Sequence, residues 1–149
     1  MIALIQRVTA ARVTVDGRVC GTIGAGLLAL IGVQRDDGRP EVARLLERLL
    51  DYRVFADQAG RMNRSLRDTG GALLLVPQFT LAADTSSGTR PGFSTAAEPA
   101  LARSLYEQLL EAARAVHREV ASGEFGANMA VALVNDGPVT FWLEASPKA

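Results

Sequence analysis

Chemistry in this chain has few side chains to work with. Among 149 residues there is one histidine, His117, and one cysteine, Cys20. Any Ser-His or Cys-His nucleophilic pair must recruit His117, and a structural zinc site lacks its usual ligands. His117 falls in PALARSLYEQLLEAARAVHREV, beside the stripe of Leu101, Leu105, Leu109, Ala112, Val116 and Val120 that recurs at helical spacing. A histidine flanking that stripe near a helix C-terminus is favoured by the dipole and reads as structural. Cys20, in RVCGTI, reads as a small buried hydrophobe rather than a thiolate nucleophile. No metal and no cofactor is expected. Two short segments remain, PQFTL at 77–81 and NDGPVT at 135–140, each placing a proline inside an apolar, strand-like run. Proline gives no amide hydrogen to a ladder and glycine adds nothing to a core. Gly137-Pro138 is therefore either a simple turn or a shaped backbone with a job.

The elements that must position these segments are legible from periodicity. Residues 2–8 and 12–23 read as strands, the second broken at Asp16-Gly17, which suits a two-residue turn, so the chain opens with a hairpin. LLALIGV at 27–33 reads as a strand buried on both faces. DDGRPEVARLLERLLDYRVF predicts a helix starting near Pro40, with Val42, Leu45, Leu46 and Leu49 on one face, and a return to strand over Tyr52–Phe55. The polar segment 61–71 leads into ALLLVPQFTLAAD, read as a second apolar strand interrupted by Pro77. DTSSGTRPGFSTAAEPA at 84–100 has the composition of a loop, and its length calls for a function or flexibility. A long helix is expected over roughly 99–121, capped by Gly123, before a strand runs into NDGPVT. The sum is about seven strands, largely hairpin-connected, with two main helices covering one side.

Length and composition suit one domain over residues 1–149, since a chain of this size can bury roughly 70% of its unfolded surface. Hydrophobic residues are 48% and charged residues 21%, with 16 basic against 16 acidic side chains. With no net charge to hold it on a polyanion, the chain must bind any nucleic acid locally. No run of 18 uncharged apolar residues occurs, so the expectation is a soluble, cytoplasmic protein with no membrane partner.

Along nearly its whole length the sequence resembles the D-aminoacyl-tRNA deacylase family. The resemblance is carried by IQRV, VTVDGRVCGTIGAGLLALIGV, PQFTL, GTRPGF, GEFGANM and NDGPVT, in that order. It implies an α/β fold in which mostly antiparallel sheets form a barrel-like β core with two main helices outside. It implies a homodimer whose active site is completed across the interface. The activity implied is hydrolysis of the ester joining a D-amino acid, or glycine mischarged on tRNA(Ala), to the 3′-terminal adenosine of tRNA, a proofreading step in translation. Gly137-Pro138 would then be a cis-bonded backbone probe, inserted into the partner's site, whose carbonyl oxygens face the α-carbon. An enzyme that rejects L-amino acids while accepting many D side chains must read the chiral centre itself.

The same resemblance places Gln78, Phe79 and Thr80 beside the ester and the adenosine, with their backbone amides as an oxyanion hole. Asn135, Thr140, Phe125, Gly126, Met129 and Pro77 complete the substrate-binding set, although Phe125 and Met129 read alone as core residues. Pro77 departs from the family's commonest form, SQFTL, and removes both an amide hydrogen and a hydroxyl. A related group with relaxed chirality also has proline there, but follows it with QATL, and Phe79 argues against that group. A nucleophilic Thr80 would need a base that the sequence does not provide, whereas assistance from the substrate's own 2′-OH needs none. Arg7 and Arg90 flank matched segments; lone arginines are usually solvated surface, and phosphates of the acceptor end are the alternative. Two rival readings are a non-catalytic binder of RNA ends or small ligands on the same fold, and a general small-ester or amide hydrolase.

Overall fold

The computed structural model describes residues 1–147. The opening hairpin is β1 (Ile2–Val15) and β2 (Arg18–Ile23). Its turn residues Asp16 and Gly17 have φ of 50° and 77°, the left-handed pair that a two-residue hairpin turn demands. β3 (Gly26–Gly32) is buried on both faces, as its unbroken apolar run requires. There follow α1 (Arg39–Asp51), the short pair β4 (Phe55–Ala56) and β5 (Met62–Arg64), and α2 (Leu66–Thr69). β6 (Ala72–Pro77), a 3₁₀ turn (Phe79–Ala82), α3 (Pro99–Val116), β7 (Val120–Ser122) and β8 (Ala130–Glu144) complete the order.

The main sheet runs β2-β1-β3-β6-β7, with β8 pairing along the other stretch of β1. Its two ends approach each other: a Cβ built on Gly21 of β2 would lie 2.6 Å from the Ser122 carbonyl oxygen of β7. The sheet is thus a nearly closed barrel. Its interior is filled by Val8, Val13, Leu28, Leu74 and Val76. A second core lies between the outer face and the helices, where Leu45 and Leu49 of α1 and Leu105 and Leu109 of α3 meet Leu27, Leu73 and Leu75. The expected α/β barrel with two outer helices is observed, and the sheet is mixed: β3-β6 and β6-β7 are parallel.

Several local expectations are corrected. β6 ends at Pro77 instead of passing through it, because Phe79–Ala82 coils into the 3₁₀ turn. α3 stops at Val116, not near residue 121: His117 is extended at φ −128°, ψ 141°, and Val120 enters β7. Val116 is exposed, so the buried stripe ends with Ala113, and Gly123 caps no helix. Tyr52–Val54 is not strand, and the polar segment 61–71 holds both β5 and α2, the latter closed by a Ser65–Asp68 capping box.

Candidate active site

The PQFT segment is held from behind. Five buried residues of β6, Ala72–Val76, lead to it, and the Gln78 amide donates to the Ile31 carbonyl at 2.7 Å. After Gln78 the chain turns, and the amides of Phe79 and Thr80, first in the 3₁₀ turn, precede the first turn-internal bond, Leu81 N–H to Gln78. Neither amide has a backbone partner within the turn. The Gln78 side-chain amide donates to the Thr80 hydroxyl.

Opposite lies the GEFGANM segment, brought close by β7, whose parallel bond to β6 continues as Gly123 N–H to the Leu75 carbonyl at 2.8 Å. A Cβ on Gly123 would fall 2.8 Å from the Met129 sulfur and 3.4 Å from Pro77 Cδ, so only glycine lets the two walls approach this closely. Between them is a depression of about 260 Å³, lined by Pro77, Gln78, Phe79, Gly126, Met129 and Val131, among others. Phe125 does not line it. Its ring packs beside Tyr106 at 6.3 Å and under the Arg103 guanidinium at 4.8 Å, on the core side of the segment. Arg103 and Tyr106 support this wall, and the sequence marked neither, since helical spacing shows only which face of α3 is buried. The Tyr106 hydroxyl, in a buried residue, donates to the Leu75 carbonyl at 2.9 Å and meets Ser122 Oγ at 2.6 Å. Desolvation pushes its pKa up to about 12, against an opposing hydrogen bond from Ser122.

NDGPVT lies elsewhere on the surface. β1 advances only from Gln6 to Val8 while β8 runs from Thr140 back to Asn135, so the residues between bulge out of the ladder. Asn135 closes the base of this loop: its Oδ1 accepts from the Val139 amide at 2.8 Å and its Nδ2 donates to the Thr140 hydroxyl at 3.0 Å. Arg7 braces the flank, donating to the Val54 carbonyl at 2.7 Å and to the Asp136 carbonyl at 3.2 Å, and facing the Asp136 carboxylate at 3.3 Å. Gly137-Pro138 is cis and exposed at the tip. Gly137 has φ +127°, and a Cβ there would lie 2.8 Å from Val139 Cγ2 and 2.9 Å from Arg7 Nη2.

Gln78, Phe79, Gly126, Met129 and Pro77 are thus brought together, with Thr80 at the edge, whereas Asn135, Gly137, Pro138 and Thr140 form a separate group. His117 joins neither: its Nε2 bonds the Gly71 carbonyl at 2.6 Å, far along β6 from Pro77. Arg7 is occupied inside the loop, while Arg90 has no ion pair among the described residues. No three His, Cys, Asp or Glu residues among those described are grouped to hold a metal.

The family model for D-Tyr-tRNA(Tyr) deacylase matches residues 4–144. A D-aminoacyl-tRNA deacylase of Thioalkalivibrio sulfidiphilus is 65% identical, covering 99% of both chains. One from Alkalilimnicola ehrlichii is 64% identical over 100% of this chain and 99% of its own length. Among solved structures, one described as c-Myc DNA Unwinding Element Binding Protein is 37% identical, with a TM-score of 0.94 over 99% of this chain and 100% of that one. Another, described as a probable eukaryotic D-amino acid tRNA deacylase, is 17% identical with a TM-score of 0.81, over 97% of this chain and 98% of that one, and shares the fold.

Proposed function

This chain belongs to the D-Tyr-tRNA(Tyr) deacylase family, and from that premise we propose how its two proline-bearing segments divide the work. The chain is a D-aminoacyl-tRNA deacylase, an ester hydrolase. The 3′-terminal adenosine occupies the depression between Pro77–Phe79 and Gly126–Met129. There the ester carbonyl oxygen faces the Phe79 and Thr80 amides. Water adds to the carbonyl carbon, assisted by the substrate's 2′-OH, and the negative charge that develops on the oxygen is held by the two amides. The intermediate then expels the adenosine 3′-oxygen, which takes up a proton, and the free amino acid leaves. Aminoacyl esters are reactive enough for positioning and oxyanion stabilisation to carry most of the acceleration.

Gly137 and Pro138 of a second copy supply the selectivity. Their carbonyl oxygens face the α-carbon, where an L side chain would strike backbone and the hydrogen of the D enantiomer does not. Glycine has no side chain on either face, so glycyl-tRNA(Ala) is also a substrate. The observation that carries the cross-subunit reading is distance along β8. Val131 lines the depression, and β8 is extended from there to Asn135, where the loop only begins. At about 3.3 Å per residue that separation is roughly 13 Å, too far for the loop to close on its own depression. β8 also pairs only with β1 among the described strands and exposes Val134 and Trp142, at 58% and 52% of their surface. An apolar edge of this length calls for a cover, and a second copy of the chain provides it.

The experiment is release of amino acid from matched D-Tyr-tRNA and L-Tyr-tRNA, with glycyl-tRNA(Ala) alongside. The D-ester and glycyl ester should be lost and the L-ester spared. Loss of both enantiomers would mean relaxed selectivity, with Pro77 the first suspect. Turnover of none would leave the non-catalytic binder of RNA ends.

A further inference from the structure

The long loop after the 3₁₀ turn has a shape that the reaction does not use. Asp84 and Gly92 exchange two backbone bonds, Asp84 N–H to Gly92 at 2.7 Å and Gly92 N–H to Asp84 at 2.9 Å, which close the intervening residues into a cradle. Beneath it is a second depression, of about 420 Å³, lined by Thr80, Thr85, Thr89 and Arg90 with Ala83, Gly88 and Pro91. Its polar lining is three hydroxyls and one guanidinium, with no carboxylate. The nearby acid, Asp84, has its Oδ1 turned to the Ser86 amide at 2.9 Å. Hydroxyls and an unpaired guanidinium are the donor set for phosphate oxygens. Two aromatic rings flank the same segments: Phe79 and Phe93 are 60% and 45% exposed, with centroids 5.4 Å apart. Exposed rings on segments that also carry a cation offer a platform on which single-stranded bases can stack.

We propose that this cradle is a subsite for the phosphodiester immediately 5′ of the terminal adenosine, with Arg90 as the phosphate contact and Phe93 as a stacking surface for the adjoining base. The inference rests on the deacylase reading, because Thr80 is the residue that joins this depression to the ester-handling wall. It gives a chain with no net charge a local means of holding a polyanion.

The test compares D-Tyr-tRNA with 3′-O-D-tyrosyl-adenosine, which carries the ester but no phosphate, in wild-type protein and in Arg90→Gln and Arg90→Lys variants. With tRNA, Arg90→Gln should raise KM about tenfold at unchanged kcat. It should also make log(kcat/KM) less steep against log salt by about 0.7, the loss of one single-strand phosphate contact, while Arg90→Lys keeps the wild-type slope. The truncated ester should be hydrolysed by Arg90→Gln as by wild type. An equal loss on both substrates would assign Arg90 to the structure of the wall and overturn the proposal, as would an unchanged KM and slope with tRNA. Wild-type protein that hydrolyses neither D-ester would sink the deacylase reading instead. Weaker, less salt-dependent binding of uncharged tRNA by Arg90→Gln would then still uphold the subsite, and unaltered binding would overturn it.

Discussion

Pro77 and Pro138 both stand in strands, yet their surroundings are opposite. Behind Pro77 lie the five buried residues of β6, a parallel neighbour on each side, and the Tyr106 hydroxyl bridging Leu75 to Ser122. Behind Pro138 lies its own loop, clasped by Asn135 and braced by Arg7, on a strand that pairs along one edge alone among the described strands. A wall backed by core can fix the two amides that the proposed mechanism needs without help. A loop of this kind is stiff in itself but unfinished in its setting, as a part made to fit another molecule would be.

The largest effect should come from separating the two parts. Val134→Arg places a charge on the exposed apolar face of β8, and sedimentation should then report monomers whose D-Tyr-tRNA deacylation is lost altogether. A fully active monomer would break the comparison, since the loop would have to serve its own chain. Mixing sharpens the same point. Gly137→Ala strains a position at φ +127° and sets a methyl group against Val139 and Arg7, which should displace the tip and cut activity about 100-fold while the fold survives. Ala127→Trp fills the depression on the wall and should be equally inactive. If the site is completed across a dimer as proposed, random exchange of subunits between the two inactive variants should restore about a quarter of the wild-type sites, because half the dimers pair one sound wall with one sound loop. A loop acting within its own chain would restore none.

A smaller effect tests the wall alone. Thr80→Ala removes the hydroxyl but keeps the amide, and kcat for D-Tyr-tRNA should fall less than about tenfold, a scale set by loss of one hydrogen bond. A drop of several thousandfold would make the hydroxyl a nucleophile. That outcome would need a base, and the one histidine is bound to Gly71.

How much of this was legible differs between the same two regions. Apolar runs fixed β3 and β6 because burial on both faces leaves a continuous signal. The bulge of NDGPVT out of the ladder was visible as a Gly-Pro pair in a strand, though not its cause, the unequal advance of β1 and β8. Pro77 looked like an interruption of a strand and proved to be its end, since FTLA has strand-like composition and only tertiary packing coils it. The short β5 and α2 were hidden in a polar segment, where a capping box outweighs hydrophobic pattern. Arg103 and Tyr106 were invisible as site supports, because their contacts with Phe125, Leu75 and Ser122 join segments far apart in the sequence.

Tyr106 offers the gentlest test of that support. Burial raises its pKa from 10.0 to about 12, so the native state holds this proton where the unfolded chain has released it. Stability from the neutral phenol is therefore complete below pH 10 and is lost as pH rises toward 12, by about 2–3 kcal/mol at most. Tyr106→Phe removes that loss together with the bonds to Leu75 and Ser122. Both groups keep a partner in the Gly123 backbone, whose amide donates to the Leu75 carbonyl and whose carbonyl accepts from the Ser122 hydroxyl, so the neutral-pH cost should be only about 1 kcal/mol. Denaturant unfolding of the two proteins should then show wild type ahead at pH 8 and the difference narrowing, then reversing, above pH 11. Parallel curves would mean that the phenol ionises freely in the folded state and does not lock β6 to β7. The firmness of the wall would then rest on the ladder alone.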